Sequence, residues 1–186
     1  MKTTDELKYT RFNTGIIVGR FQVPELTEGH KALIQNVLDR HEKVFVLIGV
    51  VKNNEVNEKN PLPFDCRLDM IQTTFPQVKV LGIMDEESDK EWVKSLDKTI
   101  SMITSSLDTV TVYGSRDSFL NCYVQNGGTY PTSELISDIH ISGTELRNQI
   151  LRNTINSADY RAGFISGVLI AIKNESERVK KAFGSI

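Results

Sequence analysis

Short apolar runs rich in β-branched residues alternate along the chain with longer segments of helical periodicity, and this alternation restricts the fold more than any other feature. "TGIIVGR" and "KVFVLIGVV" are continuous apolar runs, the pattern of strands buried on both faces of a parallel sheet. Between them, "EGHKALIQNVLDRH" sets Leu33, Ile34, Val37 and Leu38 at helical spacing, and Arg40 and His41 are expected to close that helix with positive charge. "PFDCRLDMIQTTF" then reads as a helix, "VKVLGIM" as a strand, "DKEWVKSLDKTISMITSS" as a helix and "TVTVYG" as a fourth strand. The order implies an α/β fold, a Rossmann-like parallel sheet with helices on both faces. "SGTELRNQILRN" follows as a helix with Ser142 as N-cap and Glu145 completing a capping box. The remaining "SADYRAGFISGVLIAIKN" and "ESERVKKAFGSI" read as a small C-terminal helical part. A single domain over residues 1–186 is expected, with an N-terminal extension over 1–14 and C-terminal helices over 154–186.

Composition narrows the function classes. A formal net charge of -2 disfavours a nucleic-acid protein that relies on a broadly basic surface. Cys66 and Cys122 lack metal-type spacing and fit buried or free thiols in a reducing compartment. The polar start is unlike a signal peptide, and "GFISGVLIAI" is too short to span a membrane, so a cytoplasmic protein without membrane partners is expected.

Two stretches could carry chemistry. At the end of the first strand, Gly19 allows a tight turn and Arg20 offers a planar cation suited to phosphate. Thr27 and His30 then flank the start of a helix, where unpaired N–H groups welcome an anion. Strand, glycine turn and polar cap is equally how many βα loops are built. In the second stretch, "HISGTELR", Ser142, Gly143 and Thr144 could offer N–H and hydroxyl groups to a phosphate, with Arg147 one turn further on. An ordinary capping box with a solvated arginine fits those residues as well.

Together, "GRFQ…TEGH" and "ISGTELR" resemble the paired signatures of the nucleotidylyltransferase superfamily. The closer likeness is to the archaeal-type nicotinamide mononucleotide (NMN) adenylyltransferases, over about Gly15 to Leu151. On this resemblance, Gly19, Arg20, Phe21, Gln22, Thr27 and His30 would bind ATP, together with Ser142, Gly143, Thr144 and Arg147. "EKNPLPFDCRLDMI" resembles a segment whose basic residue, here Lys59, is a phosphate ligand. "MDEESDKEWVKSL" resembles the stretch in which Trp92 would stack on the nicotinamide ring and Asp85 would be a polar partner of NMN. "YGSRDSFLNCY" resembles the loop that contacts adenosine and ribose, which points to Gly114, Ser115, Arg116 and Asp117. Trp92 would share a helix face with Val93 and Leu96, so a core position is its other reading.

The resemblance implies transfer of AMP from ATP to NMN, giving NAD and pyrophosphate. The NMN phosphate would attack the α-phosphorus in line, with His30, Thr27, Arg20, Lys59 and Arg147 as the catalytic set. Mg²⁺ would enter with ATP and keep much of its water shell, without a dedicated protein cage. Related enzymes are often homo-oligomers. This chain departs from the family's "GRFQPFHxGH" in having Thr27 for the first histidine and a longer "VPEL" loop. A sister enzyme, either a pantetheine-phosphate adenylyltransferase or a cytidylyltransferase, would use the same phosphate-handling residues. A non-catalytic nucleotide sensor is the reading from a different class.

Overall fold

A computed structural model describes residues 12–52, 59–115 and 119–135. In chain order the elements are β1 (Asn13–Gly19), α1 (Glu28–Leu38), β2 (Lys43–Val50), α2 (Phe64–Thr74), β3 (Lys79–Met84), α3 (Asp89–Ile103), β4 (Thr109–Gly114), α4 (Leu120–Gln125) and β5 (Thr132–Glu134). The strands form one five-stranded sheet in the order β3-β2-β1-β4-β5, and every pairing is parallel. The expected α/β, Rossmann-like architecture is therefore the observed one. The N-terminal extension up to residue 11, the "SGTELRNQILRN" helix and the C-terminal helices lie outside the described residues.

Alternation along each strand explains why the central runs carry no polar side. Ile17, Val44, Val46 and Ile48 face one layer, where Leu33, Ile34 and Val37 of α1 and Met70 and Ile71 of α2 cover them. Ile16, Val18, Phe45 and Leu47 face the other, under Val93, Leu96 and Ile100 of α3 and Leu120 and Tyr123 of α4. A strand buried on both faces must be apolar at successive positions, and this is what both central runs show.

Three features differ from expectation. Helix α1 ends at Leu38 with Asp39 as its C-cap and no basic residue in its last turn, so Arg40 and His41 do not close it. His41 instead turns inward, with Nε2 2.7 Å from the Tyr113 hydroxyl. Helix α4 and strand β5 were not expected. The α4 end is tied to α3 through Tyr123, whose hydroxyl donates to Asp97. The Thr129 amide donates to the same carboxylate at 3.0 Å, so the chain reaches β5 along a fixed path.

Helix α1 also lies unusually close to β1. A Cβ at Gly15 would stand 2.4 Å from Val37 Cγ1 and 2.9 Å from the His41 ring. The missing side chain thus sets the depth at which α1 docks. Gly15→Ala should lift α1 off the sheet and destabilise the fold by about 1–3 kcal/mol, read as a lowered urea midpoint.

Candidate active site

The topology reverses direction beside β1. The chain moves outward through β2 and β3, then returns to place β4 on the other side of β1. Ligands in open parallel sheets bind at this switch point, beyond the carboxyl ends of the strands. A cavity of about 840 Å³ opens there. The end of β1 contributes Val18 and Gly19, with Arg20 and Phe21 beyond it, and α1 contributes His30. The loop after β3 and the start of α3 supply Asp85, Glu86, Glu87, Ser88, Asp89 and Trp92. Ser115 after β4 and Phe119 and Cys122 around α4 complete the far side.

The turn after β1 is held under strain. Phe21 adopts φ 50°, the left-handed region that disfavours residues with a Cβ. Its ring is buried and lies 5.1 Å from the His30 ring. A Cβ at Gly19 would meet that ring at 2.9 Å, so the glycine makes room for Phe21 to fold back. Gln22 is buried and spends both ends of its amide on Leu62, donating to the carbonyl at 3.0 Å and accepting from the N–H at 2.9 Å. Its side chain fastens the turn to the segment before α2 and does not line the cavity.

Thr27 is the N-cap of α1, and its hydroxyl accepts from the His30 amide at 3.3 Å. The His30 ring returns the contact. Its Nδ1 accepts from the Thr27 N–H at 3.3 Å and lies 2.8 Å from the Thr27 hydroxyl. This is a capping box with histidine where glutamate is usual. Because Nδ1 accepts a backbone N–H, the ring proton belongs on Nε2. Burial lowers the His30 pKa from 6.5 to about 4, so at neutral pH the ring is an uncharged Nε2–H donor at the cavity wall.

Arg20 is held between two partners. One guanidinium nitrogen donates to Asn60 at 3.1 Å, and the other meets both Asp85 carboxylate oxygens at 2.9 Å. The pair is partly exposed, so redirecting Arg20 toward a stronger anion costs little. Trp92 lies across the cavity, half-buried and edge-on to Phe119 with ring centroids 5.4 Å apart. Val93 and Leu96 carry the buried face of α3, so Trp92 stands at the margin of that face and its ring reaches the cavity.

Of the residues singled out in the sequence, Gly19, Arg20, Phe21, His30, Asp85, Trp92 and Ser115 line this one cavity. Thr27 stands behind it and holds His30. Lys59 is exposed and outside the lining; Gly114 is buried and also outside it, and its carbonyl accepts from the Leu135 N–H at 2.9 Å. Arg116, Asp117, Ser142, Gly143, Thr144 and Arg147 lie outside the described residues. Sequence reasoning missed Gly49, Phe119 and Cys122 on the lining. A glycine inside the apolar run of β2 was the available signal for Gly49. Neither cysteine is in a disulfide; Cys66 is buried and Cys122 half-buried.

A parallel Rossmann-like sheet with a helix N-terminus, an arginine and a histidine at its switch point defines a nucleotide-binding α/β protein. Residues 16–149 match the cytidylyltransferase-like family, and the chain belongs to it. No curated protein sequence matches the chain. Among solved structures, it is similar to a bifunctional NMN adenylyltransferase/ADP ribose pyrophosphatase from Francisella tularensis, with TM-score 0.76 at 19% identity. That match covers 92% of this chain and 54% of the other. The same enzyme complexed with AMP and a manganese ion matches with TM-score 0.73 at 18% identity, over 92% of this chain and 53% of that one. A NadR protein in complex with NAD and AMP-PNP matches with TM-score 0.55 at 21% identity, over 75% and 43% of the two chains. The chain thus spans about half the length of these solved relatives. Among the described residues, no helix is long and apolar enough to cross a membrane.

Burial of His30 has a consequence for stability. The unfolded chain takes up the imidazole proton near pH 6.5, whereas the folded chain resists it until about pH 4. Within that window the unfolded state binds more protons, so stability falls on acidification by at most about 1.4 kcal/mol per pH unit from this group. His41, also lowered by burial and then by Arg40, adds a slope of the same sign. His30→Gln should flatten the decline of the urea midpoint between pH 6.5 and pH 4; a slope equal to that of the wild type would contradict the buried neutral ring.

Proposed function

We propose that the chain is an NMN adenylyltransferase, transferring AMP from ATP to NMN to give NAD and pyrophosphate. The observation that carries this reading is the division of the cavity into two unlike halves. On one side, Arg20 and the His30 of the α1 start line it, a setting for phosphates. On the other side, Trp92 lines the cavity together with Asp85, Glu86, Glu87 and Asp89. An aromatic face walled by carboxylates suits a cationic aromatic ring, which NMN has in its pyridinium and phosphopantetheine lacks. That contrast favours NMN over the acceptors of sister transferases.

On this reading, an NMN phosphate oxygen attacks the α-phosphorus of ATP and forms the new P–O bond. The bond to the β-phosphate oxygen breaks, and pyrophosphate carries away the electron pair. The nucleophile is already an anion, so the protein acts by positioning and by meeting charge as it develops. His30 donates through Nε2–H to the α- or β-phosphate, and Thr27 holds the ring in that tautomer. Arg20, Lys59 and Arg147 share the negative charge of the leaving group, and Ser142, Gly143 and Thr144 hold the far phosphate. Gly114, Ser115, Arg116 and Asp117 contact the adenosine.

Mg²⁺ would supply charge neutralisation along the triphosphate. Among the described residues, no group of three or more His, Cys, Asp or Glu side chains is placed to hold a metal. An ion bound chiefly by phosphates and water, without a dedicated protein cage, suits that donor set.

NAD formation from ATP, NMN and Mg²⁺, followed by chromatography, tests the reading directly; absence of NAD together with turnover of phosphopantetheine or a cytidine nucleotide would replace it with a sister activity, and binding without any turnover would make the chain a sensor. His30→Ala should lower kcat by ~10²–10³-fold with a smaller effect on ATP binding; an unchanged kcat would remove His30 from the transition state. Trp92→Ala should raise the NMN KM by about tenfold while leaving the ATP KM within about twofold, since only the aromatic contact is lost. An unaltered NMN KM would place the ring elsewhere.

A further inference from the structure

Arg67 stands apart from every other charged residue described. It belongs to α2, yet it is only 2% exposed. No carboxylate pairs with it among the described residues, and its donors go to main-chain carbonyls instead. One guanidinium nitrogen donates to Arg20 O and to Gly49 O, each at 2.8 Å, and Nε donates to Pro63 O at 3.3 Å. Burial pulls its pKa down to about 10, with Arg20 adding to that shift and Cys66 and Asp85 opposing it, so the charge persists at neutral pH.

Two of those carbonyls have a special position. Arg20 follows β1, and Gly49 lies near the end of β2. Both residues line the cavity, at the sheet edge where strand carbonyls present partial negative charge. Burying an unpaired cation costs several kcal/mol, and an apolar side chain of similar size would fill the same space without that cost. The carbonyl contacts account for the guanidinium shape, and a buried charge with no carboxylate at ion-pair distance among the described residues asks for a further reason.

We propose that Arg67 is a positioning residue of the site: its buried guanidinium caps the carbonyls at the ends of β1 and β2, fixes the strained turn carrying Arg20 and Phe21, and makes the cavity floor receptive to nucleotide phosphates. This rests on the nucleotidyl-transfer reading. It adds a residue that touches no substrate but acts through the backbone of one that does.

A purely structural role would weaken all ligands alike, whereas a role toward phosphate acts on charged ligands alone. Equilibrium binding of ATP and of adenosine to the full chain separates the two. In Arg67→Met, ATP affinity should fall at least about tenfold while adenosine affinity stays within about threefold. Parallel loss of both ligands overturns the inference and leaves the transferase reading intact. A wild-type chain that binds no ATP overturns both. Should Arg67→Met fail to fold, Arg67→Lys carries the test, because a buried amine loses its proton more readily than a guanidinium. Its ATP-to-adenosine affinity ratio should drop about tenfold more than that of the wild type between about pH 6 and about pH 10. A ratio that follows the wild type throughout that range overturns the inference.

Discussion

Because β1 to β4 pair in parallel, their carboxyl ends reach the same edge of the sheet, and the helices that return the chain begin there. The arrangement brings two opposite polarities together. Strand ends present carbonyl oxygens, and helix starts present unpaired N–H groups. At the β1 crossing the balance is tipped by three side chains. Thr27 and His30 complete the first turn of α1, and Arg67 occupies the carbonyls behind Arg20 and Gly49. The same hydrogen bonds therefore close the backbone and occupy carbonyls and N–H groups of opposite polarity at one edge.

Strain at Phe21 belongs to this arrangement. A residue with a Cβ in the left-handed region costs of order 1–2 kcal/mol, and the structure surrounds it with fixed contacts. Its ring is buried between Gly19 and His30, while Gln22 is clamped to Leu62 and Arg67 holds the Arg20 carbonyl. Beyond the local packing on Gly19, these contacts reach outside the turn. They come from α1, from α2 and from the segment before it, so the conformation of the turn depends on both helices of that layer.

Much of this was legible in the sequence, for identifiable reasons. Four strands and three helices show through their periodicity, because most of them bury a long apolar face, while β3 buries only Val80 and Ile83. Strand β5 has three residues and α4 has six, too few for a period to emerge, and both are placed by the Tyr123–Asp97 contacts rather than by local preference. The start of α1 was readable because Thr27 is a good cap; its end was not, because Arg40 and His41 follow Asp39 and simulate a basic terminus. At the site, Arg20, His30, Asp85 and Trp92 carried motif signals and converge on one cavity. Arg67 carried a fainter one. It stands three and four positions before Met70 and Ile71, the buried face of α2, where a solvated arginine has no place. Charge alone suggested the surface, and only the carbonyls of distant strands explain its burial.

The Arg20–Asp85 pair joins the two halves of the cavity, and that has a mechanistic implication. Each member belongs by chemistry to a different side: the guanidinium to phosphates, the carboxylate to the wall beside Trp92. While paired, each satisfies the other at little energetic depth. On the proposed reaction, a phosphate arriving near Arg20 competes with Asp85 for the guanidinium, and a cationic ring arriving beside Trp92 competes with Arg20 for the carboxylate. Each substrate relieves the charge that the other has uncovered. The cost of parting the pair is then smallest when both are bound, so the geometry favours the complex in which the nucleophile and the α-phosphorus are present together.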